Sequence, residues 1–177
     1  MNIVEKVHPL RNLDGCINTV SGKKFNLIEP KPEMVEIIDI AKGLAFKPHF
    51  GGMTPHFFSI AMHSILVKEL MIDDGYYSER IILAALLHDA SEAYTGDMIK
   101  PLKVHLPMFC EIEDRIQSAI FEKFNLDIEL MKKVKPYDLK AQEIEFDEFY
   151  KGGCNGLKYV SPFEGFMIFK EEVKKYL

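Results

Sequence analysis

The sequence predicts an all-α fold, a compact helical bundle preceded by one small N-terminal β-hairpin. Apolar residues recur at helical spacing in segment after segment from Pro32 onward, whereas alternation of period two occurs in one place, Ile17 to Ile28. No repeat, low-complexity tract or linker divides the 177 residues, so a single domain spanning 1–177 is expected. A chain of this length buries about two-thirds of its unfolded surface, and neither metal nor disulfide is needed merely to fold it.

The elements follow in order. Ser21-Gly22 is a turn pair, and the flanking alternation reads as a hairpin. Met34, Ile37, Ile38, Ala41 and Leu44 form a helical stripe that Lys47-Pro48 should end. A loop bearing glycine and histidine, residues 49–56, leads to a helix from Phe57 to Met71, closed by Asp73-Asp74-Gly75. Ser78 is the expected N-cap of a helix from Glu79 through Glu92. Gly96 and Lys100-Pro101 mark a loop, and Ile112 to Phe124 is amphipathic at helical period. Asp127 is a candidate cap for a helix interrupted or restarted at Pro136, running on through Asp138 into the acidic stretch at residues 143–148, whose carboxylates are expected on a solvated face. Gly152-Gly153 and Asn155-Gly156 precede a last helix from Pro162 to Leu177.

Composition narrows the function. With 47% hydrophobic and 28% charged residues the chain is ordinary globular material, and a net charge of −5 argues against a nucleic-acid partner held by bulk charge. Cys16, Cys110 and Cys154 are odd in number and contain no Cys-x-x-Cys pair, which suits packing residues in a reducing compartment. The first residues lack a charged-then-apolar signal and nowhere do eighteen apolar residues run together, so a soluble cytoplasmic protein without membrane partners is expected.

Chemistry concentrates in a few polar residues set in apolar surroundings. His88-Asp89 follows the run Ile81 to Leu87, with Glu92 one helical turn further on. His63 stands inside Ile60 to Val67, and Asp138 follows Pro136-Tyr137. Each has an ordinary reading when taken singly: a helix-end histidine beside a solvated aspartate, a hydrogen-bonded core histidine, a capping acid. Together, two imidazoles and two carboxylates from three segments make a plausible ligand set for one divalent metal, and a metal held so can activate water.

The order His, His-Asp, Asp resembles the HD-domain metal-dependent phosphohydrolases. The words around His63 and the stretch from His88 to Lys103 are similar to one branch, the bacterial 5'-deoxynucleotidases and the small phage-encoded deoxyadenosine triphosphate triphosphohydrolases, over roughly residues 39–147. The resemblance implies an HD-domain helical bundle with metal ligands His63, His88, Asp89 and Asp138. It implies Glu92 as the acid/base or water-orienting carboxylate, Asp97 near the nucleotide or a second metal, and Lys103 facing phosphate. It further implies a homo-oligomer acting on a small deoxynucleotide. Where the branch often carries an arginine before an aromatic and glycine, this chain has His49 before Phe50-Gly51; His49 cannot supply arginine's rigid fork, and Lys47 is an alternative partner for phosphate.

The implied function is therefore a metal-dependent phosphohydrolase of deoxynucleoside 5'-phosphates. The short chain and the hairpin incline the reading to a triphosphohydrolase releasing nucleoside and tripolyphosphate. The alternatives are a 5'-deoxynucleotidase acting on monophosphates and a non-catalytic nucleotide-binding module, against which the paired carboxylates Glu92 and Asp97 argue. Hydrolases of the stringent-response nucleotides carry a different pattern after the His-Asp, and the cyclic-dinucleotide branch needs a Gly-Tyr-Pro motif that does not occur. The large deoxynucleoside triphosphatases are much longer. Two histidines with two carboxylates suit manganese, cobalt, zinc, nickel, iron or magnesium rather than a dedicated calcium site, with room for a second ion near Glu92 and Asp97. Phe50, Met53, Met98 and Ile99 are candidate pocket walls; His8, His56 and His105 carry no assignment.

Overall fold

Strands β1 (Cys16–Asn18) and β2 (Lys24–Asn26) pair antiparallel with Ile17 opposite Phe25 in the computed structural model, which describes residues 15–177. His8 lies outside those residues. The hairpin turn is held from below: Asp39 accepts hydrogen bonds from the Ser21 backbone N–H at 2.7 Å and its hydroxyl at 2.8 Å. Phe25, fully buried, stacks on Tyr94 at 3.8 Å, so the hairpin presses on the chain just beyond the His-Asp dipeptide.

The stripe from Pro32 splits into a 3-10 turn at Pro32–Met34 and helix α1, Ile37–Phe46. A long loop then returns on itself: the His49 N–H donates to the Phe58 carbonyl at 2.8 Å and the Ile60 N–H to the Lys47 carbonyl at 3.2 Å. These bonds displace the start of the next helix, α2, to Ile60–Asp73, capped by the Ser59 side chain on the Met62 N–H. Helix α2 is apolar nearly all round and therefore central. It packs against α1, α3 (Glu79–Leu86), α7 (Met131–Tyr150) and α8 (Pro162–Lys174), with Ile60, Ala61, Val67 and Met71 fully buried.

One expected helix is broken. The run from Glu79 stops at Leu86, and residues 87–91 form an irregular turn before the short helix α4, Glu92–Thr95. Helix α6 (Pro107–Lys123) supplies the cause. Its buried Gln117 donates from Nε2 to the Leu87 carbonyl at 2.7 Å and accepts the Ser91 N–H at 3.0 Å. One amide thus inserts itself between the donor and the acceptor of the single backbone bond, Ser91 N–H to Leu87 carbonyl, that a continuous helix would have made there. Between α4 and α6 lies a second short helix, α5 (Lys100–Lys103), where only a loop was expected.

Two close approaches fix α4. Gly43 on α1 sits against Ala93, where a Cβ would meet the Ala93 carbonyl oxygen at 2.6 Å and its Cα at 2.8 Å. Lys47 donates from Nζ to the carbonyls of Glu92 at 2.9 Å and Ala93 at 2.5 Å. Helix α7 runs unbroken through Pro136, and α8 opens on a full capping box between Ser161 and Glu164. Cys154 is exposed, not packed. No helix among the described residues is long and apolar enough to cross a membrane.

Candidate metal centre

Four side chains from three elements converge. Helix α2 brings His63, the turn after α3 brings His88 and Asp89, and α7 brings Asp138. The His63 Nε2 lies 3.2 Å from Asp138 Oδ1 and 3.7 Å from Asp89 Oδ2. The His88 Nε2 lies 3.0 Å from Asp89 Oδ2 and 3.8 Å from Asp138 Oδ1. Donors held about 2.0–2.2 Å from one ion at tetrahedral or octahedral angles sit about 3.0–3.5 Å apart, so these spacings suit a shared ion. All four donor atoms fall within 4.8 Å of one another.

Tautomers make the same point by a different route. The outer nitrogens face the carboxylates because the inner ones are engaged: His88 Nδ1 reaches the Ala85 carbonyl at 2.8 Å and His63 Nδ1 reaches Glu145 Oε1 at 2.7 Å. With the proton on Nδ1, each Nε2 presents a lone pair to anionic oxygens, and His88 Nε2 is buried without a hydrogen-bond partner. Four acceptors facing one another require a cation. Either a metal sits among them or the imidazoles protonate. Burial lowers the pKa of both histidines, but the facing carboxylates outweigh it, holding His63 well above the usual value and His88 at about 9. Burial opposes ionisation of Asp89 too, yet the His88 charge brings it down to about 2. The centre is built for net positive charge.

Its surroundings are asymmetric. His63, His88 and Asp138 are buried, whereas the Asp89 side chain is 25% exposed, leaving the cluster open on that flank. Asp138 is also held by Gln142 at 2.7 Å and paired with Lys135 one turn earlier on α7. Glu92 is buried beside this cluster with Oε2 unpartnered. Burial, reinforced by the charges of Asp89 and Asp97 and opposed by Lys103, pushes its carboxyl up to about 9. Lys103 is half-exposed and ion-paired with Glu113 of α6, whose pull outweighs burial and raises the lysine's pKa. Asp97 is tied to the loop before α2, accepting the Gly51 N–H at 3.1 Å. That loop carries three successive positive φ angles, 54° at Phe50, 59° at Gly51 and 76° at Gly52, a left-handed path that glycine makes inexpensive. Ile99 packs on Gly51, whereas the Phe50 ring packs edge-on against Phe149 and Tyr150 of α7.

His49 lies elsewhere than at the open flank. It is buried on the Nδ1 side of His63, ring centroids 4.4 Å apart, with its own Nδ1 3.1 Å from Glu145 Oε2. Glu145, Glu113, Gln117 and Gln142 all went unassigned at the sequence level, and Glu145 was expected on a solvated face. Its position was nevertheless legible: Val134, Asp138, Ala141, Glu145 and Phe149 recur at steps of three and four, and all are buried on one stripe of α7.

Comparison with known proteins agrees with this geometry. A family model described as 5'-deoxynucleotidase YfbR-like matches residues 52–145, the span holding all four donors, Glu92, Asp97 and Lys103. An uncharacterized protein of Rhodobacter capsulatus is 41% identical over 120 residues, 66% of this chain and 61% of that protein. The uncharacterized protein YfdR of Escherichia coli is 36% identical over 123 residues, 70% of this chain and 66% of its own length. A 5'-deoxynucleotidase of Yersinia pestis is 32% identical over 85 residues, covering 48% of this chain and 40% of that enzyme. The chain thus spans less than two thirds of the length of these relatives. With a helical bundle, a His, His-Asp, Asp centre and a family match across more than half its length, the chain belongs to the YfbR-like family of HD-domain 5'-deoxynucleotidases.

Proposed function

We propose that this chain is a metal-dependent phosphohydrolase that cleaves the 5'-phosphate of deoxynucleoside monophosphates, yielding deoxynucleoside and orthophosphate. The observation that carries the reading is the facing of the Nε2 atoms of two imidazoles and two carboxylates across one open-sided cage, with Glu92 buried at its edge. The monophosphate is favoured over the triphosphate to which the sequence inclined, because the matching family and the Yersinia relative bear the name 5'-deoxynucleotidase.

His63, His88, Asp89 and Asp138 would hold the ion. When bound, a divalent ion supplies Lewis acidity toward phosphoryl oxygens and acidifies water. Lys103, fixed by Glu113, brings a positive charge toward the flank where Asp89 is exposed and is suited to hold the phosphate as a point charge. Its charge acts on both Glu92 and Asp89, where a second ion would otherwise be called for. Burial and the nearby acidic side chains favour the protonated form of Glu92, the state suited to giving a proton to the 5'-oxygen as the phosphorus–oxygen bond breaks; the proton that water releases as its oxygen bonds to phosphorus restores the carboxyl. Asp97 anchors Gly51 of the loop before α2, and Ile99, which packs on that glycine, is suited to wall the nucleoside.

The test is product analysis. Chelator-stripped protein is incubated with each deoxynucleoside mono- and triphosphate while manganese, cobalt, magnesium or zinc is returned in turn. Orthophosphate from monophosphates, lost in Asp89→Ala, is expected. Tripolyphosphate from a triphosphate would move the assignment to a triphosphohydrolase, and nucleotide binding without product under every metal would replace the enzyme by a binding module.

A further inference from the structure

Glu145 is fully buried in α7, two helical turns beyond Asp138; one of its oxygens is hydrogen-bonded to an imidazole and the other lies close to a second imidazole without hydrogen-bond geometry. Oε1 takes the His63 Nδ1 at 2.7 Å, and Oε2 faces the His49 Nδ1 at 3.1 Å. Among the described residues no lysine or arginine forms an ion pair with it. A buried carboxylate kept without a cationic side chain of that kind is costly, and the chain retains it at the one position that reaches the back of a metal-ligand histidine.

The geometry points to Glu145 as the positioning residue of the centre: it holds the proton of His63 on Nδ1 and thereby turns the Nε2 lone pair toward the ion. This inference rests on the metal centre proposed above. An imidazole offers one nitrogen to a metal only if the other carries the proton, and the partner of that second nitrogen chooses the tautomer and the ring angle. His88 is served by the Ala85 carbonyl, a backbone group in the last turn of the preceding helix α3. On α2 the corresponding carbonyl three residues before His63, that of Ile60, already accepts the Ser64 hydroxyl at 3.1 Å, and a carboxylate from α7 does the work. His49 completes the arrangement, its ring tilted 43° against that of His63 and its Nδ1 3.1 Å from the second oxygen.

His49, His63 and Glu145 could also be read as a second ion site, since their donor atoms cluster. Spacing argues against this. The 2.7 Å between His63 Nδ1 and Glu145 Oε1 is a hydrogen-bond length, shorter than the about 3.0–3.5 Å separating two ligands of one ion, and His63 would have to surrender the proton that leaves Nε2 free for the first centre.

The experiment is a cobalt(II) titration of chelator-stripped full-length protein, followed by visible absorption, on the wild type, Glu145→Gln, Glu145→Ala and Asp89→Ala. One cobalt per chain is expected in the wild type. Glu145→Ala should bind about 10–100-fold more weakly with an altered spectrum, and Glu145→Gln, whose amide oxygen still accepts from Nδ1, should recover part of that loss. Should Glu145→Ala fail to fold, nitrogen-15 NMR of the zinc-loaded wild type decides, with the His63 proton expected on Nδ1 and zinc on Nε2. Wild-type affinity and spectrum in Glu145→Ala, or a His63 proton on Nε2, would overturn the positioning role while leaving the metal centre intact. A second cobalt lost specifically with Glu145 would make the cluster an ion site instead. No cobalt binding in the wild type would remove the metal centre and this role with it.

Discussion

Replacing Gln117 by leucine should both destabilise the fold and loosen the metal centre, although Gln117 touches no proposed ligand. Its amide bonds the Leu87 carbonyl at 2.7 Å and the Ser91 N–H at 3.0 Å, closing the turn that carries His88 and Asp89. Leucine matches the volume, so the cost is the orphaning of the Ser91 N–H, about 1–3 kcal/mol, and the loss of one of the two bonds to the Leu87 carbonyl, which keeps the Ala90 N–H at 3.1 Å, about 0.5–1.5 kcal/mol. The sum, about 1.5–4.5 kcal/mol, lowers the melting temperature of a domain this size by about 2–4 °C per kcal/mol, hence by about 3–18 °C. Differential scanning calorimetry of chelator-treated protein reads this term directly. A cobalt titration reads the second, because a turn free to rewind into helix no longer presents both donors together. A melting temperature within 2 °C of wild type, with unchanged cobalt affinity, would refute the claim that Gln117 holds the break in the helix.

Further predictions concern the carboxylate, the field and the packing of the site. Glu92→Gln should lower kcat by about 10²–10⁴-fold while cobalt still binds, since the role proposed for Glu92 is proton transfer and it is not among the four clustered ligand atoms; an equal loss of metal would assign it to the cage. Metal-free protein should lose stability as pH rises from 5.5 to 9. Glu92 titrates at about 9 in the fold against an ordinary 4.5, and His88 at about 9 against 6.5, so the folded state holds protons that the unfolded chain has released. Thermal melts in chelator across that range check the sign, and a melting temperature that climbs toward pH 9 would contradict it. Gly43→Ala should cost about 1–3 kcal/mol by driving a methyl into the Ala93 backbone and displacing α4; urea unfolding measures it.

How much of this was readable depends on the range over which each feature is determined. The hairpin around Ser21-Gly22, the stop at Lys47-Pro48, the start of the last helix at Pro162 and the amphipathic stretch from Ile112 to Phe124 are decided by neighbours a few residues away, and the structure places all of them near where the pattern did. The break after Leu86 has no local sign: Ile81 to Leu87 is helix-forming throughout, and the helix yields to an amide thirty residues downstream. Asp127 caps only a 3-10 turn, because the long helix begins after it at Met131 and passes through Pro136. The acidic stretch on α7 was taken as solvated because its charge density suggested water. Its stripe of Val134, Ala141 and Phe149 shows that one of its acids must face inward.

By itself the sequence determined a mostly helical chain with one hairpin, and it named His63, His88, Asp89 and Asp138, because periodicity, caps and short motifs are local properties that survive in one dimension. Tertiary structure alone decided that these four donors meet, that His88 and Asp89 ride on a turn, that Lys103 is paired with Glu113, and that His49 stands behind His63 on Glu145. Burial and charge depend on what other elements bring to the same few ångströms. A carboxylate becomes an acid, a ligand or a support for a ligand only when its neighbours arrive.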